Sequence, residues 1–240
     1  MIKYENYKPS GVNWLGNIPK DWEVKRIKDI FKQISESGNE LPKNCYIPLE
    51  NIEQFTGKLI QKVSNENGET TNLFNSGDLL INKLRPYLGK VFLPDFKGGV
   101  SGEVIVLRLF DNENSNYSKY FFYRFLSTKF IFKINSITDG VKMPRTNPFK
   151  ILNLEVAIPT IFEQTQIAHY LDTKTQAIDR KIDLLTQKAN YHKEYRKSLI
   201  NQMVCKGLDK SVQLKDSGID WIGQIPKHWE VKRFKAIAKL

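Results

Sequence analysis

Residues 8–32 read KPSGVNWLGNIPKDWEVKRIKDIFK, and residues 215–239 read KDSGIDWIGQIPKHWEVKRFKAIAK. The second segment repeats the first, without gaps, 207 residues further on. Lys8, Ser10, Gly11, Trp14, Gly16, Ile18, Pro19, Lys20, Trp22, Glu23, Val24, Lys25 and Arg26 all recur. Most of the differences are conservative, such as Val12 for Ile219 and Leu15 for Ile222. Two tryptophans, two glycines and a proline do not align in one window by chance. The period is too long for a solenoid repeat of roughly 20–50 residues. It is the length of a domain plus a connector. The chain therefore reads as one complete unit and the opening of a second. Within each segment the tryptophans are expected to pack locally and the proline to set a turn.

Working outward from the first segment, residues 22–34 place Val24, Ile27, Ile30, Phe31 and Ile34 at near-helical spacing, with Asp21 as N-cap. Residues 35–76 are rich in Ser, Asn, Gly and Glu and predict short strands with turns near Gly38, Gly57 and Gly68. A strand block follows at 79–84, 88–93 and 104–110. In the last of these, Ile105, Leu107 and Leu109 alternate with Val104, Val106 and Arg108, the pattern of a half-buried strand. Residues 117–132 predict one helix with an aromatic face, 136–150 a loop, and 152–158 a strand stopped by Pro159.

From Ile161 there is no Pro or Gly until Gly207. Heptads place Leu171, Ile178, Leu185, His192 and Leu199 at position a, and Thr175, Ile182, Ala189, Arg196 and Met203 at position d. This predicts an amphipathic helix of coiled-coil type, roughly 65–70 Å long. Leu171, Ile178, Ile182, Leu185, Leu199 and Met203 are its candidate pairing residues. A partner helix would cover that stripe; a helix laid along its own domain is the alternative. The fold class is thus an α+β domain over residues 1–159, a long helical spacer over 160–207, and a linker with an incomplete second domain over 208–240.

The chain has 240 residues, 37 Lys and Arg against 26 Asp and Glu, and a net charge of +11. That balance suits a polyanionic partner. No apolar run approaches a membrane span, and the polar start Met1–Ser10 is not a signal peptide. Cys45 and Cys205, with three scattered histidines, offer neither a disulfide framework nor a metal site. A cytoplasmic, metal-free protein is expected. Asn147-Pro148-Phe149 lacks a proline of the aminomethyltransferase motif and has no upstream glycine-rich loop. Pro94-Asp95-Phe96-Lys97 lacks the acidic-x-Lys strand of a nuclease. No GxxxxGK[ST] loop or nucleophile–histidine set is present. The residues describe a binding module rather than an enzyme.

Two basic loops suit contact with phosphates and base edges. The first, residues 82–90, holds Asn82, Lys83, Arg85, Tyr87 and Lys90. The second, 138–150, holds Lys142, Arg145, Thr146, Asn147 and Lys150. The candidate DNA-binding set is Lys83, Arg85, Tyr87, Lys90, Lys142, Arg145 and Asn147, each of which could equally be a solvated surface residue. The polar stretch Gln61–Thr71 is a further place for base readers.

These motifs together resemble the specificity (S) subunit of type I restriction–modification systems, the HsdS family, in truncated or half-length form. The repeated SGVNWLGNIPKDWEVKRIK is similar to the start of a target-recognition domain. GDLLINKLRPYLGKV, residues 77–91, is similar to a mid-domain strand segment. IPTIFEQTQIAHYLDTKTQAID, residues 158–179, resembles the entry to the helical spacer through Glu163-Gln164, Ile167-Ala168 and Leu171-Asp172. The resemblance implies a noncatalytic subunit that reads half of a split site in double-stranded DNA. It also implies docking of modification (methyltransferase) subunits, which carry the S-adenosylmethionine, and of a restriction (motor–nuclease) subunit. This chain itself would bind no cofactor. A complete family member has two recognition domains and two spacer helices, so this chain would work as a half-subunit homodimer or with a second half-subunit. The alternative is a nonfunctional or inhibitory fragment that sequesters modification subunits.

Overall fold

The computed structural model describes residues 4–38, 45–61, 71–110 and 115–237. The strands in chain order are β1 (Tyr7–Pro9), β2 (Asn17–Pro19), β3 (Glu23–Arg26), β4 (Phe31–Ile34), β5 (Tyr46–Ile47), β6 (Thr71–Phe74), β7 (Leu79–Asn82), β8 (Val91–Phe92), β9 (Gly98–Ser101) and β10 (Val104–Leu109). Helices α1 (Ser115–Leu126), α2 (Thr128–Asn135) and α3 (Pro148–Leu152) follow, then β11 (Glu155–Ile158), α4 (Ile161–Lys206), β12 (Leu214–Asp216) and β13 (Gln224–Pro226). The chain divides into two compact units, residues 1–173 and 174–240.

In the first unit an antiparallel sheet runs β4-β10-β7-β8. Its odd-numbered side chains, Leu79, Ile81, Ile105, Leu107 and Leu109, pack with Phe121, Phe125 and Phe130 of α1 and α2. Its even-numbered ones, Leu80, Val104, Val106 and Ile34, pack with Ile47, Phe74 and Val100 of a second sheet, β5-β9-β6. The central strand is thus buried on both faces, not one as its alternation suggests, because a helical layer and a second sheet cover it from opposite sides.

Arg108 is the polar exception on β10. Its Nε and Nη2 donate to the two carboxylate oxygens of buried Asp78, each at 2.8 Å. Asp78 Oδ2 also accepts from the Asn75 amide at 2.7 Å. The carboxylate bonds raise the Arg108 pKa above its usual value.

Three sequence expectations change. Residues 22–34 form β3, a 3-10 turn at Ile27–Asp29 and β4 rather than a helix. The tertiary partner decides: β3 pairs with β11, and β4 edges the main sheet. Asp29, not Asp21, does the capping, accepting from the Arg26 amide at 3.1 Å. The expected helix 117–132 is two helices broken at Ser127, whose backbone is extended and whose hydroxyl donates to Arg124 O at 2.7 Å. Phe125 and Phe130 stack across the break with ring centroids 4.4 Å apart. The end of the 136–150 loop starts α3, so the strand after it is confined to 155–158. The long helix runs over Ile161–Lys206, as expected.

The N-terminal segment is fastened to the rest of its unit at three places. β3 pairs along β11, and the Ile27 amide donates to Leu154 O at 2.9 Å. Trp14 lies beneath the Arg124 guanidinium, 5.4 Å from the ring centroid, and against Phe130. Glu163, in the first turn of α4, accepts from Trp22 Nε1 at 3.0 Å and from the Tyr4 hydroxyl. Burial and the neighbouring carboxylate push the Tyr4 pKa up to about 12.

The second unit repeats that segment's local structure. β12 pairs with β13 as β1 pairs with β2. The Ser217 amide donates to Gly223 O at 3.0 Å, as Ser10 does to Gly16 O at 3.0 Å. Both glycines of each segment take positive φ, between 68° and 75°. The two segments diverge at Glu230–Arg233, which forms no strand although Glu23–Arg26 has the same four residues.

Removing one member of a buried ion pair strands the other, at a cost of about 3–5 kcal/mol. Arg108→Met is therefore expected to lower unfolding free energy in urea by about 3 kcal/mol. Adding Asp78→Asn should recover part of that loss. Equal stability of the single and double variants would show that the pair is not coupled.

Candidate nucleic-acid interface

The turn after β7 is built around Asn82. Its side chain is buried, with Nδ2 donating to Leu84 O and Arg85 O, each at 2.9 Å. Its Oδ1 accepts from the Lys90 amide at 3.1 Å. Arg85 is held left-handed, at φ 51°, ahead of Pro86, a conformation that a non-glycine residue adopts only when its surroundings impose it. The 3-10 turn Pro86–Leu88 ends at Gly89, also left-handed. A Cβ at Gly89 would stand 2.7 Å from the Phe55 ring, which would have to shift, and the left-handed backbone itself favours glycine here.

The second loop is closed by a reciprocal pair: the Asp139 amide donates to Arg145 O at 2.8 Å, and the Arg145 amide to Asp139 O at 2.9 Å. Gly140 turns the chain at φ 85°, and Val141, Lys142 and Met143 form an exposed tip. The two loops are joined backbone to backbone. The Arg85 amide donates to Pro144 O at 2.7 Å, and the Thr146 amide to Lys83 O at 2.9 Å. The Lys83 amide in turn donates to Glu103 O at 2.8 Å, at the start of β10. Two loops distant in sequence thus make one ridge.

Arg85, Tyr87, Lys142 and Arg145 are exposed on this ridge, and Lys83 is half-buried. The Arg145 guanidinium is anchored by Glu103 at 2.9 Å. Lys90 is a correction to the expected set. It is buried, and its ammonium donates to Leu49 O at 2.9 Å and Glu50 O at 3.2 Å. Desolvation lowers its pKa. It fastens the turn from inside and is not available to a ligand. Asn82 and Thr146 are likewise inside. Asn147 is exposed, but its oxygen caps α3 by accepting from the Phe149 amide at 2.9 Å. Lys150 is turned back onto Asp139 at 2.7 Å and Ile137 O at 3.1 Å. Within Gln61–Thr71, residues 62–70 lie outside the described residues.

Sequence reasoning missed Glu103, the counter-charge that fixes Arg145, and the apolar tip residues Val141 and Met143. The only sequence signal for Glu103 is its place between Gly102 and the apolar run of β10. What the ridge offers chemically is donors: two forked guanidinium groups and two ammonium groups, fitted to phosphate oxygens and to the acceptors on guanine's major-groove edge. Among the described residues, no group of three His, Cys, Asp or Glu side chains could hold a metal ion.

On α4, Ile178, Ile182, Leu185 and Leu199 are exposed, Ile178 at 58%. Leu171 and Met203, at the two ends of the heptad run, are half-buried. Leu184 and Tyr191 are also exposed; they flank position a and widen the stripe beyond the expected positions. No described helix is long and apolar enough to cross a membrane.

Residues 19–190 match the family of the type I restriction modification DNA specificity domain. The chain is 26% identical to the type I restriction enzyme MjaVIII specificity subunit of Methanocaldococcus jannaschii, over 100% of this chain and 54% of that one. It is 26% identical to the EcoDI specificity subunit of Escherichia coli, over 72% of this chain and 41% of that one. The chain thus spans about half the length of these curated relatives. Among solved structures, the HsdS subunit of Thermoanaerobacter tengcongensis superposes with a TM-score of 0.58 at 18% identity, over 78% of this chain and 49% of that one. The S subunit from M. genitalium gives 0.51 at 17% identity, over 74% and 45%. With the family match extending over most of its length, and a fold shared with solved S subunits, the chain belongs to the DNA specificity subunits of type I restriction–modification systems.

Proposed function

We propose that this chain reads one half of a split site in double-stranded DNA and docks modification subunits on that site as an antiparallel half-subunit homodimer. The observation that carries the reading is the ridge: two basic loops hydrogen-bonded into one exposed surface of cationic donors. Phosphate contacts by Lys83, Lys142 and the two arginines supply salt-dependent affinity and register. The forked guanidinium groups of Arg85 and Arg145 are the ones able to read a base edge. Tyr87, beside Arg85, offers an aromatic surface. The chain contributes no reacting group. Methyl transfer belongs to the modification subunits with their S-adenosylmethionine, and cleavage to a restriction subunit that joins them.

The exposed stripe of α4 supports pairing with the same helix of a second chain. Antiparallel pairing would set two recognition domains about a twofold axis, in place of the two domains of a longer subunit. The site read would then be palindromic, with its halves separated by a spacer. A second reading keeps the docking of modification subunits and drops the site. Under it, the chain would hold modification subunits without directing them to a site.

Three measurements test these readings. Replacing Lys83, Arg85, Lys142 and Arg145 together with alanine should weaken DNA binding by the assembled complex. It should also make the dependence of log K on log salt shallower by up to about 3.6, at ~0.9 for each phosphate that is no longer neutralised. Unchanged affinity and slope would remove the ridge from the interface. Ile178→Asp with Ile182→Asp should convert a dimer to a monomer in sedimentation while helix content by circular dichroism stays the same; an unchanged mass would mean that this stripe does not pair. Finally, the chain should be coexpressed with its modification subunit in a methylation-free host and the modified adenines mapped. A split palindrome is the expected result. A soluble complex that modifies nothing would support the sequestering reading instead.

A further inference from the structure

The four cations of the ridge are not held alike. Lys83, Arg85 and Lys142 carry their charges on side chains that make no hydrogen bond or ion pair among the described residues. Arg145 is tied at both ends. Its backbone sits in the reciprocal pair with Asp139, and its neighbours Pro144 and Thr146 are bonded to Arg85 and Lys83. Its Nη2 donates to Glu103 Oε1 at 2.9 Å. Glu103 is itself fixed: its amide donates to Ser101 Oγ at 3.3 Å, and its carbonyl accepts from the Lys83 amide. The second carboxylate oxygen, Oε2, is buried and has no hydrogen-bond partner. A carboxylate in that state depends on the guanidinium to balance its charge and is not free to turn to water. The pair therefore holds more firmly than a fully solvated ion pair. The Arg145 side chain nonetheless stays 54% exposed, with Nε and Nη1 not used by Glu103.

We propose that Glu103 is a positioning residue that aims Arg145 at guanine, and that the pair fixes one G·C position in each half of the site. The proposal rests on the reading of the ridge as a DNA interface and names what one of its cations reads. Guanine's major-groove edge offers two acceptors, N7 and O6, which a guanidinium fork meets with two donors. Adenine puts a donor beside its acceptor, cytosine offers a donor, and thymine a single acceptor beside a methyl group. A fork held at a set angle therefore separates guanine from the other three, whereas a freely swinging one also settles on phosphates. Holding the fork in advance spares the ordering cost that a free side chain meets on binding. Glu103 acts through Arg145 and not on the base. Of its two carboxylate oxygens, one is occupied by Arg145 and the other is buried. Arg85 has a left-handed backbone but no partner at its head among the described residues, so it lacks this second fixation and stays free to follow a phosphate.

Selection from a random duplex pool tests this, using the complex of the chain with its modification subunits. Bound duplexes are sequenced, and base preference is scored position by position. Arg145→Ala should relax one G·C position of the half-site by roughly ten- to hundredfold, the worth of a bidentate contact, and leave the other positions as they are. It should change the salt slope less than Lys142→Ala does. Glu103→Ala should relax that same position with little change in thermal unfolding. Glu103→Gln, which keeps an acceptor for Nη2, should restore most of the preference. The double variant Glu103→Ala, Arg145→Ala should match Arg145→Ala alone, because a residue that acts only through another adds nothing once the other is gone. A uniform loss across positions, relaxation at a different position, or additive losses would overturn the role of Glu103. A preference untouched by Arg145→Ala would overturn the assignment of guanine to it, while leaving the ridge as a phosphate-binding surface. No sequence preference in the parent complex would instead refute the half-site reading, and this proposal with it.

Discussion

The pairing of β3 with β11 is the constraint on which the first unit depends. It closes the chain's opening residues onto the strand that leads directly into the long helix. The protein contains its own control for this interaction. The sequence Glu-Val-Lys-Arg occurs at 23–26 as a strand and at 230–233 as none. The flanking Trp and the preceding hairpin are the same; the first copy has β11 to pair with and Asp29 to accept from its Arg26 amide, where the second has Ala236. Strand formation here belongs to the tertiary contact and not to the four residues, which is why strand propensity depends so strongly on context.

The same point separates what was legible in the sequence from what was not. The repeat was legible because it rests on identity alone, and the long helix because 46 residues without Pro or Gly leave few other conformations. The strand core at 79–82 and 104–109 was legible from apolar density. Its double-sided burial was not, since alternation of two apolar sets looks the same whether one face is covered or both. Residues 22–34 looked helical because their apolar spacing fits a helix, yet both halves of that stretch are claimed by sheet edges. The break at Ser127 was hidden for a similar reason: stacking of Phe125 on Phe130 rewards a bend that no local signal announces.

At the candidate site, the loops were legible as basic and turn-rich, but their union was not. Nothing in residues 82–90 or 138–150 says that Arg85 will donate to Pro144 or Thr146 to Lys83. The roles inside each loop were also scrambled by the third dimension. Lys90 and Asn82 look like readers in one dimension and turn out to be the struts that hold Arg85 in its left-handed conformation. Asn147, which looks like part of a catalytic motif, spends its oxygen on a helix cap.

That redistribution bears on what a net charge of +11 means. Several cations are engaged within the fold: Arg108 on Asp78, Lys119 on Asp172, Lys150 on Asp139, Arg124 over Trp14, and Lys90 on two carbonyls. Counting charges therefore overstates what a polyanion meets and says nothing of where it meets it. Position matters more. Lys83, Arg85 and Lys142 stand on one ridge, and Arg145 is fixed there by a carboxylate that orients its fork at the expense of part of its field. An arginine oriented in this way is poorer at attracting phosphate from a distance and better at presenting two parallel donors at a set angle. The ridge thus carries three exposed or half-buried cations and one arginine held by a carboxylate.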